Sequence, residues 1–135
     1  MDPSHLIRVM IAEDDEGIRE TLASVVRSEP TFRLAGAVEN AADAITTAAR
    51  ELPDVAVVDV RMPGGGASAT RGIKERSPRT VVLAFSAHTD PITVGEMRRA
   101  GVDGYIVKGS PVNAIIASIT RAGSDARGVS ERTAA

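Results

Sequence analysis

The sequence predicts an α/β fold in which helices cover a parallel sheet of five strands. Three observations predict it. Five short aliphatic or β-branched runs recur, at residues 6–12, 32–38, 55–60, 80–85 and 104–107. Their starts lie roughly 25 residues apart, the room that one strand and one crossover helix need. Helical patterning fills the intervals, so the chain reads βαβαβαβαβα.

The first run ends in Glu13-Asp14-Asp15-Glu16, and beyond it Ile18, Leu22, Val25 and Val26 share one helical face, at spacings of four, seven and eight. The second opens Phe32-Arg33-Leu34 and alternates as an edge strand does, with Asn40 placed to cap the helix after it. Val55-Ala56-Val57-Val58 and Val81-Val82-Leu83-Ala84-Phe85 do not alternate, so both should be buried on two faces of a parallel sheet. Gly64-Gly65-Gly66 follows the third run. Asp90-Pro91 and Ser110-Pro111 each read as an N-cap with proline at the first helical position, and Gly101 and Gly123 suit helix exits. These marks divide the chain into a domain over residues 1–123 and a polar tail or linker stump over 124–135.

Composition fits one globular domain: 135 residues, 43% hydrophobic and 25% charged. A net charge of −2 lacks the electrostatics of a dedicated nucleic-acid binder. The chain has no cysteine, which excludes a disulfide framework, thiolate zinc sites and cysteine catalysis. Phe32, Phe85 and Tyr105 are its only aromatics, so the core must be aliphatic. No apolar run approaches the ~20 residues of a membrane span, and the first residues do not resemble a signal peptide, so a cytoplasmic protein without membrane contact is expected.

In an open parallel sheet, ligands bind beyond the carboxyl ends of the strands. Here the first strand runs into the acidic stretch, the third ends at Asp59, the fourth at Ser86 and the fifth at Lys108. Each alone has a plain structural reading: acids start helices, an aspartate ends a strand as a turn former, a lysine snorkels. Their conjunction at one rim does not follow from those roles. Converging carboxylates repel unless a hard cation neutralises them, and an oxygen-only ligand set suits Mg²⁺. A carboxylate beside such a cation and a lysine is a plausible phosphoryl acceptor.

The sequence resembles the receiver domain of two-component response regulators from residue 6 to about 123. The resemblance is carried by Ile7-Arg8-Val9-Met10-Ile11-Ala12-Glu13-Asp14-Asp15, Val58-Asp59-Val60-Arg61-Met62-Pro63-Gly64, Ala84-Phe85-Ser86-Ala87 and Ala100-Gly101-Val102-Asp103-Gly104-Tyr105-Ile106-Val107-Lys108. Four segments in the right order are specific where one would be weak. The opening and central strands are most similar to receivers of LuxR-type transcription regulators.

The resemblance implies a flavodoxin-like (βα)5 fold with strand order 2-1-3-4-5. It implies phosphorylation of Asp59 by a sensor histidine kinase. Mg²⁺ would be held by Asp14, Asp59 and the main-chain carbonyl of Arg61, with Glu13 acting through a water. Ser86 would contact the phosphoryl group, Lys108 would pair with it, and Tyr105 would change rotamer on activation. A homodimer formed on phosphorylation and an output domain beyond Ala135 belong to the same expectation. The residues after Gly123 are too few for a helix-turn-helix, so this chain is not expected to bind operator DNA itself, nor to be an enzyme beyond its own phosphorylation and dephosphorylation.

Two departures bear on geometry. Met62-Pro63-Gly64-Gly65-Gly66-Ala67-Ser68 replaces the family's Met-Pro-x-Met-Asp-Gly stretch, so a shorter, looser loop is expected. Lys108 precedes Gly109 where many receivers have a cis proline, and a trans bond is expected.

Two other functions compete. A phosphatase with an aspartyl nucleophile would share Asp59, Mg²⁺ and the lysine, but such enzymes typically carry a second acid two residues on, where this chain has Arg61. A receiver-like interaction module working without phosphorylation is disfavoured because every matched acid, hydroxyl and lysine position is filled. The glycine triplet lacks the Gly-Lys-Ser/Thr of a phosphate loop, and His5 and His88 read as solvated.

Overall fold

Strands and helices alternate throughout a computed structural model that describes residues 6–87 and 89–134, with residues 127–134 described as backbone. His5 and His88 lie outside the described residues. In chain order the elements are β1 (Ile7–Ala12), α1 (Glu16–Ser28), β2 (Phe32–Val38), α2 (Ala41–Glu51), β3 (Val55–Asp59), α3 (Gly66–Arg76), β4 (Val81–Ser86), α4 (Pro91–Ala100), β5 (Gly104–Val107) and α5 (Val112–Ala134). All strand pairs are parallel and the sheet order is β2-β1-β3-β4-β5, as the resemblance implied. No helix among the described residues is long and apolar enough to cross a membrane.

Two aliphatic layers hold the sheet. On one face Val9, Ile11, Val57 and Phe85 pack with Leu22 and Val26 of α1 and Ile115 and Ile119 of α5. On the other, Met10, Ala56, Val58 and Val82 meet Ala44 and Ala48 of α2 and Ala69 and Ile73 of α3. The alanines let α2 and α3 lie close to the sheet. β3 is buried at every position and β4 at all but its first, so both are double-faced core strands as their unbroken apolar runs required. Each fully buried valine there contributes roughly 1.5–3 kcal/mol. β2 forms one edge.

Three caps form with the expected chemistry. Asp15 Oδ1 accepts from Ile18 N at 2.9 Å, Asn40 Oδ1 from Asp43 N at 2.8 Å and Asp90 Oδ2 from Thr93 N at 3.0 Å. Gly101 closes α4 in the left-handed region at φ 102°.

Three local expectations are corrected. Ser110 does not cap α5: its hydroxyl turns back to donate to Val107 O at 2.6 Å, and the Pro111 carbonyl accepts the first helical bonds. Gly123 does not end α5 but lies inside it; the helix runs to Ala134 and Ala126 is buried. The glycine is there for close approach, since a Cβ would stand 2.6 Å from Ile7 Cδ1. The glycine triplet is a tight turn and not a loose loop. Gly64 and Gly65 take φ +88° and +87°, and a Cβ on Gly66 would meet Val60 Cα at 2.6 Å. Gly65 N–H donates to Met62 O at 2.8 Å, Gly66 N–H to Val60 O at 3.2 Å, and Ala41 N–H to Pro63 O at 2.9 Å. The Lys108-Gly109 bond is trans, no cis peptide occurring among the described residues.

Candidate functional site

The carboxyl ends of β1, β3 and β5 meet at a cleft of about 200 Å³ lined by Glu13, Asp14, Asp15, Ile18, Asp59, Val60, Arg61, Ala87 and Lys108. The convergence follows from sheet order. β1 and β3 are hydrogen-bonded neighbours, so the acids that leave them stand side by side. β5 lies beyond β4, yet Lys108 is long enough to cross the Phe85 ring, its ammonium 5.4 Å from the centroid. Lys108 Nζ then reaches Glu13 Oε1 at 2.9 Å and Asp59 Oδ1 at 3.3 Å.

Carboxylate oxygens of Glu13, Asp14 and Asp59 all lie within 4.8 Å of one another. Glu13 and Asp59 are buried, at 1% and 2% exposure, while Asp14 faces solvent. Backbone donors orient the pair: Arg61 N–H donates to Asp59 Oδ1 at 3.1 Å and Asp15 N–H to Glu13 Oε2 at 3.2 Å. Glu13 Oε1 is fully buried and, despite its ion contact with Lys108, has no well-directed hydrogen bond.

These surroundings split the two buried acids. Burial, reinforced by the adjacent Asp59 carboxyl, pushes Glu13 up to about 7, against the pull of Lys108 and the Asp15 N–H. Burial also acts to raise Asp59, but contact with Glu13, the Arg61 N–H and the Lys108 charge outweigh it and hold Asp59 below the usual carboxylate range. For Lys108, burial is overcome by its two acidic partners and the ammonium is held more firmly than in water. Near neutral pH the site therefore presents an ionised Asp59 beside a cationic lysine, with Glu13 shared between its two protonation states.

Of the residues singled out in the sequence, Glu13, Asp14, Asp59 and Lys108 converge, and Arg61 lines the same cleft. Ser86 is buried at the end of β4, where the next residue, Ala87, lines the cleft. Tyr105 sits on β5 opposite Ala84, its hydroxyl donating to Val94 O of α4 at a long 3.4 Å. One residue at the site was not singled out. Arg19 Nη1 donates to the main-chain carbonyls of Glu13 and Asp14, at 3.0 and 3.3 Å. In the sequence it looks like any solvated helix arginine.

A family model described as the response regulator receiver domain matches residues 9–120. The transcriptional regulatory protein DegU of Brevibacillus brevis is 30% identical over 114 residues, 84% of this chain and 48% of that protein. The DNA-binding transcriptional activator DevR/DosR of Mycobacterium tuberculosis is 30% identical over 104 residues, covering 76% and 48%. The chain thus spans about half the length of the curated relatives it matches. Among solved structures, the signal receiver domain of the putative response regulator NarL from Mycobacterium tuberculosis superposes with a TM-score of 0.82 at 28% identity, over 89% of this chain and 98% of that one. Fold, acidic cleft and family match agree: the chain belongs to the response regulator receiver domain family of two-component signalling.

Proposed function

We propose that Asp59 accepts a phosphoryl group from a phosphohistidine on a partner sensor histidine kinase, and that the modified rim changes the surface presented by the last helices. The observation that carries this reading is an ionised, buried Asp59 within 3.3 Å of Lys108 Nζ at the floor of an open cleft. An Asp59 oxygen attacks phosphorus in line, the P–O bond forms as the P–N bond breaks, and the imidazole leaves with the electron pair. Lys108 lies where it can offset charge on the phosphoryl oxygens, and the Arg61 N–H holds the carboxylate in place.

The residues fit Mg²⁺. Every donor is a hard oxygen, and three carboxylates stand within 4.8 Å of one another with a single lysine beside them. In this reading Asp14, Asp59 and the Arg61 main-chain carbonyl hold the ion and Glu13 holds it through a water. Bound there, Mg²⁺ supplies positive charge that neutralises the acids and the incoming phosphoryl oxygens. Ser86 and Lys108 would contact the phosphoryl group. The phosphatase alternative lacks its second acid, because Arg61 occupies that place at the cleft.

About half of each relative lies outside the matched stretch, and both are named as regulators of transcription. The reading therefore extends to an output segment joined beyond Ala135, and to a second copy of the receiver as a partner of the phosphorylated form. A cytoplasmic location follows from a kinase partner of this kind.

Intact-mass measurement with acetyl phosphate and Mg²⁺ tests the central claim. One phosphoryl adduct is expected on the wild type and none on Asp59→Asn, with no sustained turnover of a generic phosphate ester. An adduct that persists in Asp59→Asn removes Asp59 from the role.

A further inference from the structure

We infer that Arg19 is a positioning residue for the cation site: its guanidinium holds the backbone of the β1–α1 turn so that the Glu13 and Asp14 carboxylates face the cleft. The inference rests on the reading of that cleft as a Mg²⁺ site. The first intrahelical bond of α1 runs from Arg19 N to Asp15 O, so Glu13 O and Asp14 O lie upstream of the helix ladder and receive nothing from it. Arg19 Nη1 donates to both, at 3.0 and 3.3 Å. The two residues whose carbonyls it grips are two of the three whose carboxylates cluster.

Helix stability does not account for this placement. A cation folded back onto a helix N-terminus opposes the macrodipole. Helical side chains do lean toward the N-terminus, which gives Arg19 the reach. Reach alone would leave the head in water, as most helix arginines do, yet this side chain is only 19% exposed. Among the described residues its acidic side-chain contact, Glu39 Oε2 at 3.8 Å, is long and 64% exposed, too weak to fix the guanidinium. The carbonyls are what it serves. Glu13 N–H donates to Val38 O at 2.9 Å on the far side, so the turn is clamped from β2 and from α1 at once.

Groups that orient metal ligands typically contribute 10–100-fold in metal affinity. Arg19→Met keeps the length and removes the donors, and should raise the Mg²⁺ dissociation constant about tenfold by calorimetric titration. Arg19→Lys, with one donor head, should fall between it and the wild type. Glu39→Gln should leave the constant unchanged, since the ion pair is incidental. Leu22→Ala, in the buried face of the same helix, serves as the stability control: it should lower Tm at least as much as Arg19→Met without the loss of Mg²⁺ affinity. In acetyl phosphate reactions Arg19→Met should need more Mg²⁺ for half-maximal rate while approaching the wild-type rate at saturation. Wild-type affinity in Arg19→Met overturns the inference, as does an equal loss in Leu22→Ala. A wild type that binds no Mg²⁺ instead overturns the functional reading on which the inference rests.

Discussion

Lys108 sits closer to Glu13 than to Asp59, at 2.9 against 3.3 Å, and the acid it approaches most nearly is the one whose carboxyl titrates highest. The ammonium lowers both acids, but at Glu13 burial together with the adjacent Asp59 carboxyl outweighs the ion pair. One lysine thus serves two carboxylates and cannot compensate both. That deficit of positive charge is what a divalent cation would fill.

A pH dependence follows for the metal-free protein. Glu13 titrates near 7 when folded and near 4.5 when unfolded, so between those values the folded state binds the extra proton and stability falls as pH rises. Glu13→Gln removes that dependence. The variant should match the wild type near pH 4 and exceed it near pH 7 by about 2–3 kcal/mol in denaturant titrations. Mg²⁺ should shrink the difference. Parallel stability curves for the two proteins would show that Glu13 ionises normally.

Asp14 and Asp15 are adjacent but should separate cleanly. Asp15 caps α1, so Asp15→Ala should cost about 1 kcal/mol of stability and leave Mg²⁺ binding nearly intact. Asp14 is exposed and belongs to the carboxylate cluster, so Asp14→Ala should spare stability and weaken Mg²⁺ binding on the order of tenfold or more. Thermal melts and calorimetry on both variants check the crossed pattern. Equal Mg²⁺ losses would mean that the acidic turn is assigned out of register.

Gly123→Ala should destabilise the domain although alanine is the better helix former. The new Cβ would meet three Ile7 atoms at 2.6, 2.7 and 2.8 Å, so rotating Ile7 cannot relieve all of them. Overpacking of about 1–3 kcal/mol then exceeds the ~1 kcal/mol gained in helix propensity. In an Ile7→Ala background the same substitution should be neutral or stabilising, which a double-mutant cycle of melting temperatures measures. Stabilisation in the wild-type background would show that α5 does not press on β1 as described.

Tyr105 offers an optical test of switching, being the single tyrosine in a chain without tryptophan. Its hydroxyl meets Val94 O at a long 3.4 Å, a weak tether to α4. Ser86 pairs with Val107, two residues along β5, so movement of Ser86 toward a phosphoryl group is felt beside Tyr105. A beryllofluoride mimic with Mg²⁺ should change Tyr105 emission and quencher access, by a coupling of ~1–3 kcal/mol. Ser86→Ala should still bind the mimic but lose the optical response. Unchanged wild-type emission with the site demonstrably filled would remove Tyr105 from the switch.

The element order and the residues that end each strand were legible in the sequence because they depend on short-range patterns. Unbroken valine runs mark double-faced strands, Asn40 and Asp90 cap through neighbours three residues on, and each strand carries its own last residue. The strand order came from family resemblance, since periodicity says nothing about which strands pair. Tertiary structure decided everything that depends on approach between distant segments. It placed Lys108 nearer Glu13 than Asp59, raised one buried acid while lowering the other, and put Arg19 onto two carbonyls that no helical pattern marks. It also turned Gly123 from an apparent helix exit into a contact point for Ile7. A glycine that ends a helix and one that admits a neighbour look alike in sequence, because the atom that distinguishes them belongs to another strand.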